Sequence, residues 1–512
     1  MRSALPDHSK HPAHPRIYRT GLEHLFICLM AVAFGVSCNN QQEAKKPNII
    51  LITLDTTRAD HLGTYGYNKN TSPNIDQLAK EAVIYERAIA TGTWTLPSHA
   101  SLFTGKFPSS HGAQYDTNGA LQLTHGLDGP AAWDVYRARP LAVDERTLAG
   151  YLSDIGYLTG GFAGGPWLKS IFGLDAGFDY YNDNNITELN GRSAKDLTDA
   201  AIEWLDTESD KPRFLFLNYF DPHGPLVPPL EHARQFLPRL TVGKDRRLTL
   251  GETLGKYDGE IHYMDHHLGR LFDHLKFKEI YDETWIIITG DHGELFGEHG
   301  HSGHGNRPYQ EVVHVPLIVK YPQSWPNPTG QDKPQTVGAP TASQTTKLPG
   351  KQRIRDWVQL TDVFAMILAH FKIPPTDPRQ ADVPPGIKHP IIIESRTLPF
   401  ESKGDGHWLA MIDDGMKFIW NSNGRHMLFD LDSDPQENNN LITQYQVKAE
   451  RMQATMNQYL DTLPEPGRQP TGQVVDPETL NSLRNLGYTG DGPPPQVDRS
   501  DHMATGQTPS AE

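Results

Sequence analysis

Three apolar runs set the pattern of hydrophobic and polar positions along the chain, over residues 48–54, 213–220 and 284–290. None alternates between apolar and polar residues, so each reads as a strand covered on both faces, like the inner strands of a parallel sheet. Each run stops on polar groups: Asp55 after the first, Asp221 to His223 after the second, Asp291 and His292 after the third. A shorter run at 156–163 predicts a further strand. Between the runs the period lengthens to that of a helix. Ile75, Leu78, Ala79, Ala82 and Val83 predict one helix within 72–90, with Ser72 and Pro73 as its start. Helices are also expected over 147–152, 194–205, 257–277 and 358–371. The long one at 257–277 carries Ile261, Met264, Leu268, Leu271, Phe272 and Leu275 on one face. Its His262, His266, His267 and His274 follow the polar face and read as solvated.

Alternating strands and helices predict an α/β fold over 44–375, a central, mostly parallel sheet flanked by helices. Ligands of such sheets bind beyond the carboxyl ends of the strands, where these polar groups stand. Residues 322–350, rich in Pro, Thr, Gln and Gly, read as a surface insertion. After the Pro-rich stretch 374–390 the pattern shifts to short strands at 391–395, 407–412, 417–421 and 427–430, then a helix over 447–463. These predict a smaller C-terminal α+β subdomain over 385–465. The tail, 466–512, is expected to be partly disordered, with a short docking helix at 477–488.

The start of the chain reads as a targeting segment, 1–38. Arg16 and Arg19 precede an apolar run at 25–36, too short to span a bilayer but suited to a signal peptide. Cys38 follows small residues in the manner of a bacterial lipoprotein processing site. The expectation is export to the periplasm or cell envelope, with a membrane contact only through a lipid anchor on Cys38. Cys28 would leave with the signal, and with two cysteines in all no disulfide would remain. The 512 residues carry a formal net charge of −15, which argues against nucleic acid as a partner.

The candidate chemistry centres on the stretch from Trp94 to Gly105. Thr95 can cap a helix, Pro97 suits its first turn and Gly105 can close it. A hydroxyl at a helix N-terminus stands where a phosphate or sulfate would dock. With Pro97, Ser98, Leu102, Thr104 and Gly105, this stretch resembles the signature of the sulfatase family, within the alkaline phosphatase superfamily. Asp55-Thr56-Thr57-Arg58 resembles the family's first metal motif and Thr289-Gly290-Asp291-His292-Gly293-Glu294 its second. Asp221-Pro222-His223 resembles its active-site His motif, and the turn from Leu431 to Glu437 its C-terminal Asp-Pro-x-Glu turn. The resemblance covers roughly 46–440.

It implies one divalent cation (Ca, Mn or Zn) held by Asp55, Thr56, Asp291 and His292. It places Thr95 at the nucleophile, where the family has a Cys or Ser matured to formylglycine. His99 stands in place of the family's Arg. In these terms His99 and His223 would hold the transferred group's oxygens, and His304 would protonate the leaving group. Imidazole among the ligands favours Zn or Mn over Ca. The expected substrate is an anionic ester, with a glycan or a lipid head group as the candidate alcohols, and phosphate is favoured because a Thr alkoxide forms a phospho-enzyme that water can resolve. A sulfatase acting on a sulfated glycan, an envelope phosphoryl transferase and an inactive ligand-binding homologue are the alternatives.

Overall fold

Ile49 and Leu51, Phe214 and Phe216, Trp285 and Ile287 share one buried core; Ile50 and Ile52, Leu215 and Leu217, Ile286 and Ile288 share another. Strict alternation between two cores means that these three strands are buried on both faces. The computed structural model describes residues 46–116, 121–122, 137–186, 191–238, 248–324, 352–374, 391–396 and 406–462. The expected targeting segment, most of the 322–350 insertion, the boundary near 385 and the tail lie outside them.

Among the described residues the main sheet has eight strands: β1 (Asn48–Leu54), β2 (Val83–Ile89), β3 (Leu158–Phe162), β4 (Tyr180–Asn182), β5 (Arg213–Tyr219), β6 (Thr284–Gly290), β7 (His314–Lys320) and β8 (Gln352–Gln359). Their order is β8-β2-β7-β6-β1-β5-β3-β4, and β7 runs against its neighbours. In register, Leu54 lies beside Tyr219 on one side and Gly290 on the other. Asp55, Phe220 and Asp291 therefore leave the sheet at one level.

Helices α1 (Pro73–Ala79), α4 (Ala194–Leu205) and α5 (Leu250–Phe277) cover one face through Leu78, Leu197, Ile261 and Leu268. Helices α2 (Thr95–Thr104), α3 (Leu148–Asp154) and α6 (Leu360–His370) cover the other through Phe103, Leu152 and Phe364. Thr249 and Glu252 form a capping box that starts α5 seven residues before the expected 257.

Four expectations are corrected. The helix within 72–90 stops at Ala79, and Val83–Ile89 is strand β2, zipped between β7 and β8. Val83, Ile84 and Tyr85 prefer an extended backbone, and the pairing of distant strands overrides the helical spacing. Val358 belongs to strand β8; α6 starts at Leu360, capped by Gln359. His267 is buried rather than solvated, its Nδ1 3.0 Å from Arg270 Nη1. The Gly-, His- and Asp-rich stretch 106–145 reads as loops and predicts a solvated His111; that residue is also buried, paired with Ser101 Oγ at 3.1 Å.

The C-terminal strands β9 (Ile391–Ser395), β10 (Trp408–Asp413), β11 (Met416–Asn421) and β12 (Met427–Asp430) form an antiparallel sheet in that order. One face packs on α7 (Gln446–Thr462) through Met411, Phe418, Met452 and Met456. The other face, with Ile393, Ala410 and Phe429, joins the core of the large sheet. Strand β9 also meets the segment that leads into α2. Glu394 N donates to Thr91 O, Thr93 and Ser395 share a hydroxyl bond at 2.7 Å, and Ser109 N and Oγ both donate to the Glu394 carboxylate.

Candidate active site

Asp55, Asp291 and His292 converge above the carboxyl ends of β1 and β6, each offering one atom within 4.8 Å of the others. His292 Nε2 lies 3.4 Å from Asp291 Oδ2 and 3.9 Å from Asp55 Oδ1. His292 Nδ1 meets Gly293 O at 3.0 Å; a carbonyl can only accept, so Nδ1 carries the hydrogen and the Nε2 lone pair faces the carboxylates. Burial, then His304, pushes this imidazole well below its ordinary pKa. It is neutral at neutral pH.

Asp291 Oδ1 accepts N–H bonds from His292 at 2.8 Å and Thr56 at 3.3 Å. Asp291 Oδ2 and Asp55 Oδ1 are buried without a hydrogen-bond partner, as is the hydroxyl of Thr56. Burial, and then the neighbouring Asp291, raises Asp55 well above the usual carboxylate range, and burial lifts Asp291 to about 7. Orphaned buried carboxylate oxygens are costly unless a cation satisfies them. Donors about 2.1 Å from a shared ion stand about 3.4 Å apart, close to the separations here. Two carboxylates and an imidazole thus fit one divalent cation. Thr56 has a left-handed backbone, φ 50°, clamped by the Tyr257 hydroxyl, which donates to Thr56 O at 2.7 Å and accepts from Arg58 N at 2.9 Å.

Thr95 is the first residue of α2, with Trp94 in the capping position expected of Thr95. Its Oγ1 is 3.3 Å from His292 Nε2, so the hydroxyl stands beside the Asp55, Asp291 and His292 cluster. Gly105 ends the helix at φ 68°, where a Cβ would meet Phe364 at 2.4 Å. His99 departs from its expected role. One turn after Thr95, its ring points back against β1, as helical side chains do. Its Nδ1 donates to Thr95 O at 2.8 Å and its Nε2 pairs with Thr53 Oγ1 at 2.8 Å, all buried. Both nitrogens are engaged in the interior, so His99 supports the start of α2 and lies 3.5 Å from Asp291 rather than facing a substrate oxygen.

His223 and His304 do face the cluster. The ring of His304 lies 4.5 Å from that of His292 and 5.1 Å from that of His223. Glu294 accepts from His304 Nδ1 at 2.9 Å. His223 stacks on Phe220 and donates from Nδ1 to Gly224 O at 2.6 Å. Burial pushes His223 down to about 4. Asp221 turns away and accepts from Ala194 N at the start of α4.

Sequence reasoning missed the supports. Asn218 bonds Thr53 Oγ1 and the N–H groups of Gly164 and Gly165. Arg58 reaches Glu294 O and Glu298 and holds the Asp-His-Gly-Glu loop. Asn218 was findable as a polar residue inside an apolar strand; Arg58 and Tyr257 were not, since their partners are distant in sequence.

A family profile described as Sulfatase matches residues 47–373. An arylsulfatase of Clostridium perfringens is 25% identical over 478 residues, covering 79% of this chain and 92% of the relative. Human iduronate 2-sulfatase is 25% identical over 441 residues, covering 70% and 76%. Among solved structures, a protein in complex with its substrate D-glucosamine-2-N,6-O-disulfate superposes with a TM-score of 0.62 at 18% identity, over 82% of this chain and 99% of the other. The phosphonate monoester hydrolase of Agrobacterium radiobacter gives 0.60 at 18%, over 82% and 96%.

Proposed function

The chain belongs to the sulfatase family, and from that premise we propose that this ester hydrolase works with one divalent cation and with Thr95 itself as nucleophile. The observation that carries the reading is the Thr95 hydroxyl at the start of α2, 3.3 Å from His292 Nε2 and beside two orphaned carboxylate oxygens. Asp55, Asp291 and His292 would hold the cation, with the unpartnered Thr56 hydroxyl as a further donor. When bound, such an ion lowers the pKa of a neighbouring hydroxyl and offsets negative charge on the transferred group. The imidazole favours Mn or Zn.

The remaining work falls to the chain. Thr95 Oγ, its proton released to water, attacks the phosphorus or sulfur as the bond to the leaving alcohol oxygen breaks, and the N-terminal end of α2 favours the anion. With Nδ1 engaged by Glu294, the proton His304 delivers to the leaving oxygen is the one on Nε2. His223 has Nδ1–H on a carbonyl, so its neutral ring accepts at Nε2. It donates to a substrate oxygen only when protonated, a form that an anionic ester beside it favours.

Thr95 cannot take the family's formylglycine route, whose hydrate sheds sulfate by elimination. A threonine ester of phosphate is open to attack by water; one of sulfate is far more inert. We therefore favour a phosphate or phosphonate monoester, a class to which the fold neighbour from Agrobacterium also points by name. The sulfated substrate of another neighbour supports the sulfate reading. Turnover of phosphate, phosphonate and sulfate esters with Mn, Zn and Ca decides between them, with intact-mass analysis after quenching. A phosphate-sized adduct on wild type, absent from T95A, supports the proposal. Robust sulfate ester hydrolysis without phosphate ester activity overturns the substrate choice. Retention of the whole ligand cluster speaks against an inactive homologue.

For location we propose export and lipidation at Cys38, supported by the sequence before it. No described helix is long and apolar enough to cross a membrane. Unchanged membrane association of C38A on cell fractionation refutes the anchor.

A further inference from the structure

A cleft of ≈ 390 Å³ opens beside the two outer imidazoles. Pro222 and Gly224, which flank His223, form part of its rim, as do Ser302 and Gly303, which lead into His304. It therefore begins on the side of the site where the leaving oxygen would meet His304. Beyond that point its walls are mainly aliphatic and aromatic, from Leu226, Leu248, Leu250 and Phe296, with Thr253 among them, its hydroxyl turned back to Thr249 O. Among the described lining residues the one charged group is Glu294, already committed to His304.

Two of these walls are held in the open. Leu248 and Leu250 are 53% and 57% exposed, although they flank the Thr249 cap that fixes the backbone at the start of α5. The wall bearing Leu226 is pinned from the same helix. Lys256 Nζ donates to Leu226 O, and the buried Glu260 accepts from the next N–H, that of Val227, at 2.7 Å. Large aliphatic side chains fixed on a water-facing cleft next to a reaction centre are the pattern of a binding surface. Among the described residues, a sugar bearing further sulfates would meet aliphatic walls and a carboxylate there, which costs desolvation and repulsion.

We propose that this cleft receives the alcohol part of the substrate, and that this alcohol is a neutral, hydrophobic one (a phenol or an alkyl alcohol) rather than a multiply sulfated sugar. The inference rests on the reading of Thr95 and His304 as the reaction centre. Leu226, Leu248, Leu250 and Phe296 are then the specificity-determining residues.

The test uses the full-length, metal-loaded enzyme with 2-alkyl-4-nitrophenols and their phosphate and sulfate monoesters, the alkyl group being absent, propyl or hexyl. These phenols differ little in acidity, so chain length changes contact rather than leaving-group chemistry. Calorimetry on the free phenols reads the cleft without turnover, and kinetics on the esters read it through the reaction. Affinity and kcat/KM are expected to rise about three- to fourfold per added methylene until the cleft is full, with an increasingly negative heat capacity of binding. L250K, at an exposed position, should flatten both series. Affinity independent of chain length, or a glucosamine disulfate hydrolysed faster than the hexyl ester, overturns the proposal. Phenol binding that strengthens with chain length while no ester is hydrolysed supports the cleft and refutes the reading of Thr95 instead. Hydrolysis without any length dependence does the reverse.

Discussion

Glu294 shows how much of this site is decided one residue from the chemistry. Its carboxylate fixes the tautomer of His304, and its carbonyl is gripped by Arg58. A proton donor matters most when the departing alcohol is a poor leaving group. H304A is therefore expected to cost about 10²–10⁴ in kcat on alkyl esters and much less on nitrophenyl esters, read from steady-state kinetics on both. An equal loss on both classes would assign His304 a role in binding instead. At this scale the sequence was informative where a polar group interrupts or ends an apolar run: Asp55, Asp291 and His292 announced themselves in that way. It misled at His99, whose ring is drawn inward by Thr53, a residue 46 positions away in the chain.

Among the elements, the buried strands β1, β5 and β6 were legible because both-face burial leaves no other pattern open to them. Strand β2 was not, since its extended state depends on pairing with β7 and β8, more than 200 residues on. The C-terminal strands were read from composition, but not the ion pair that joins them to the segment before β7. Lys417 on β11 is buried 2.9 Å from Glu437, whose other oxygen accepts from Gln310 N just before β7. Removing one member strands a charge in the interior. K417M should lower stability by about 3–5 kcal/mol, and K417M/E437L by much less. Urea unfolding of both variants checks this; equal losses in the two would mean that packing rather than charge holds the junction.

Across the whole molecule, the small sheet is a buttress of the segments before and after α2 rather than an appendage. Strand β9 bonds to Thr91 and Thr93, and Glu394 takes both donors of Ser109 beyond α2. Burial lifts Glu394 from 4.5 to about 7. Between those values the folded chain keeps a proton that the unfolded chain has released. This contribution to stability is complete below the lower value and is lost as pH rises through the upper one. Wild type should thus lose stability relative to E394Q between about pH 5 and pH 8, as read by urea unfolding at both. A difference that does not change with pH would show that Glu394 stays ionised. The level ends of β1, β5 and β6, and hence the meeting of Asp55 with Asp291, follow from the sheet's register, which no local pattern encodes.

If the Thr95 hydroxyl is the nucleophile, and Asp55, Asp291 and His292 are what would hold the cation, the two roles separate on removal of that hydroxyl. The most direct measurement is kcat of T95A against wild type at equal metal content, established by elemental analysis of both proteins. Metal content should be unchanged, since Asp55, Asp291 and His292 remain, and kcat should fall by about 10³-fold or more. A T95A enzyme that keeps its metal and turns over within about tenfold of wild type would contradict that role of Thr95.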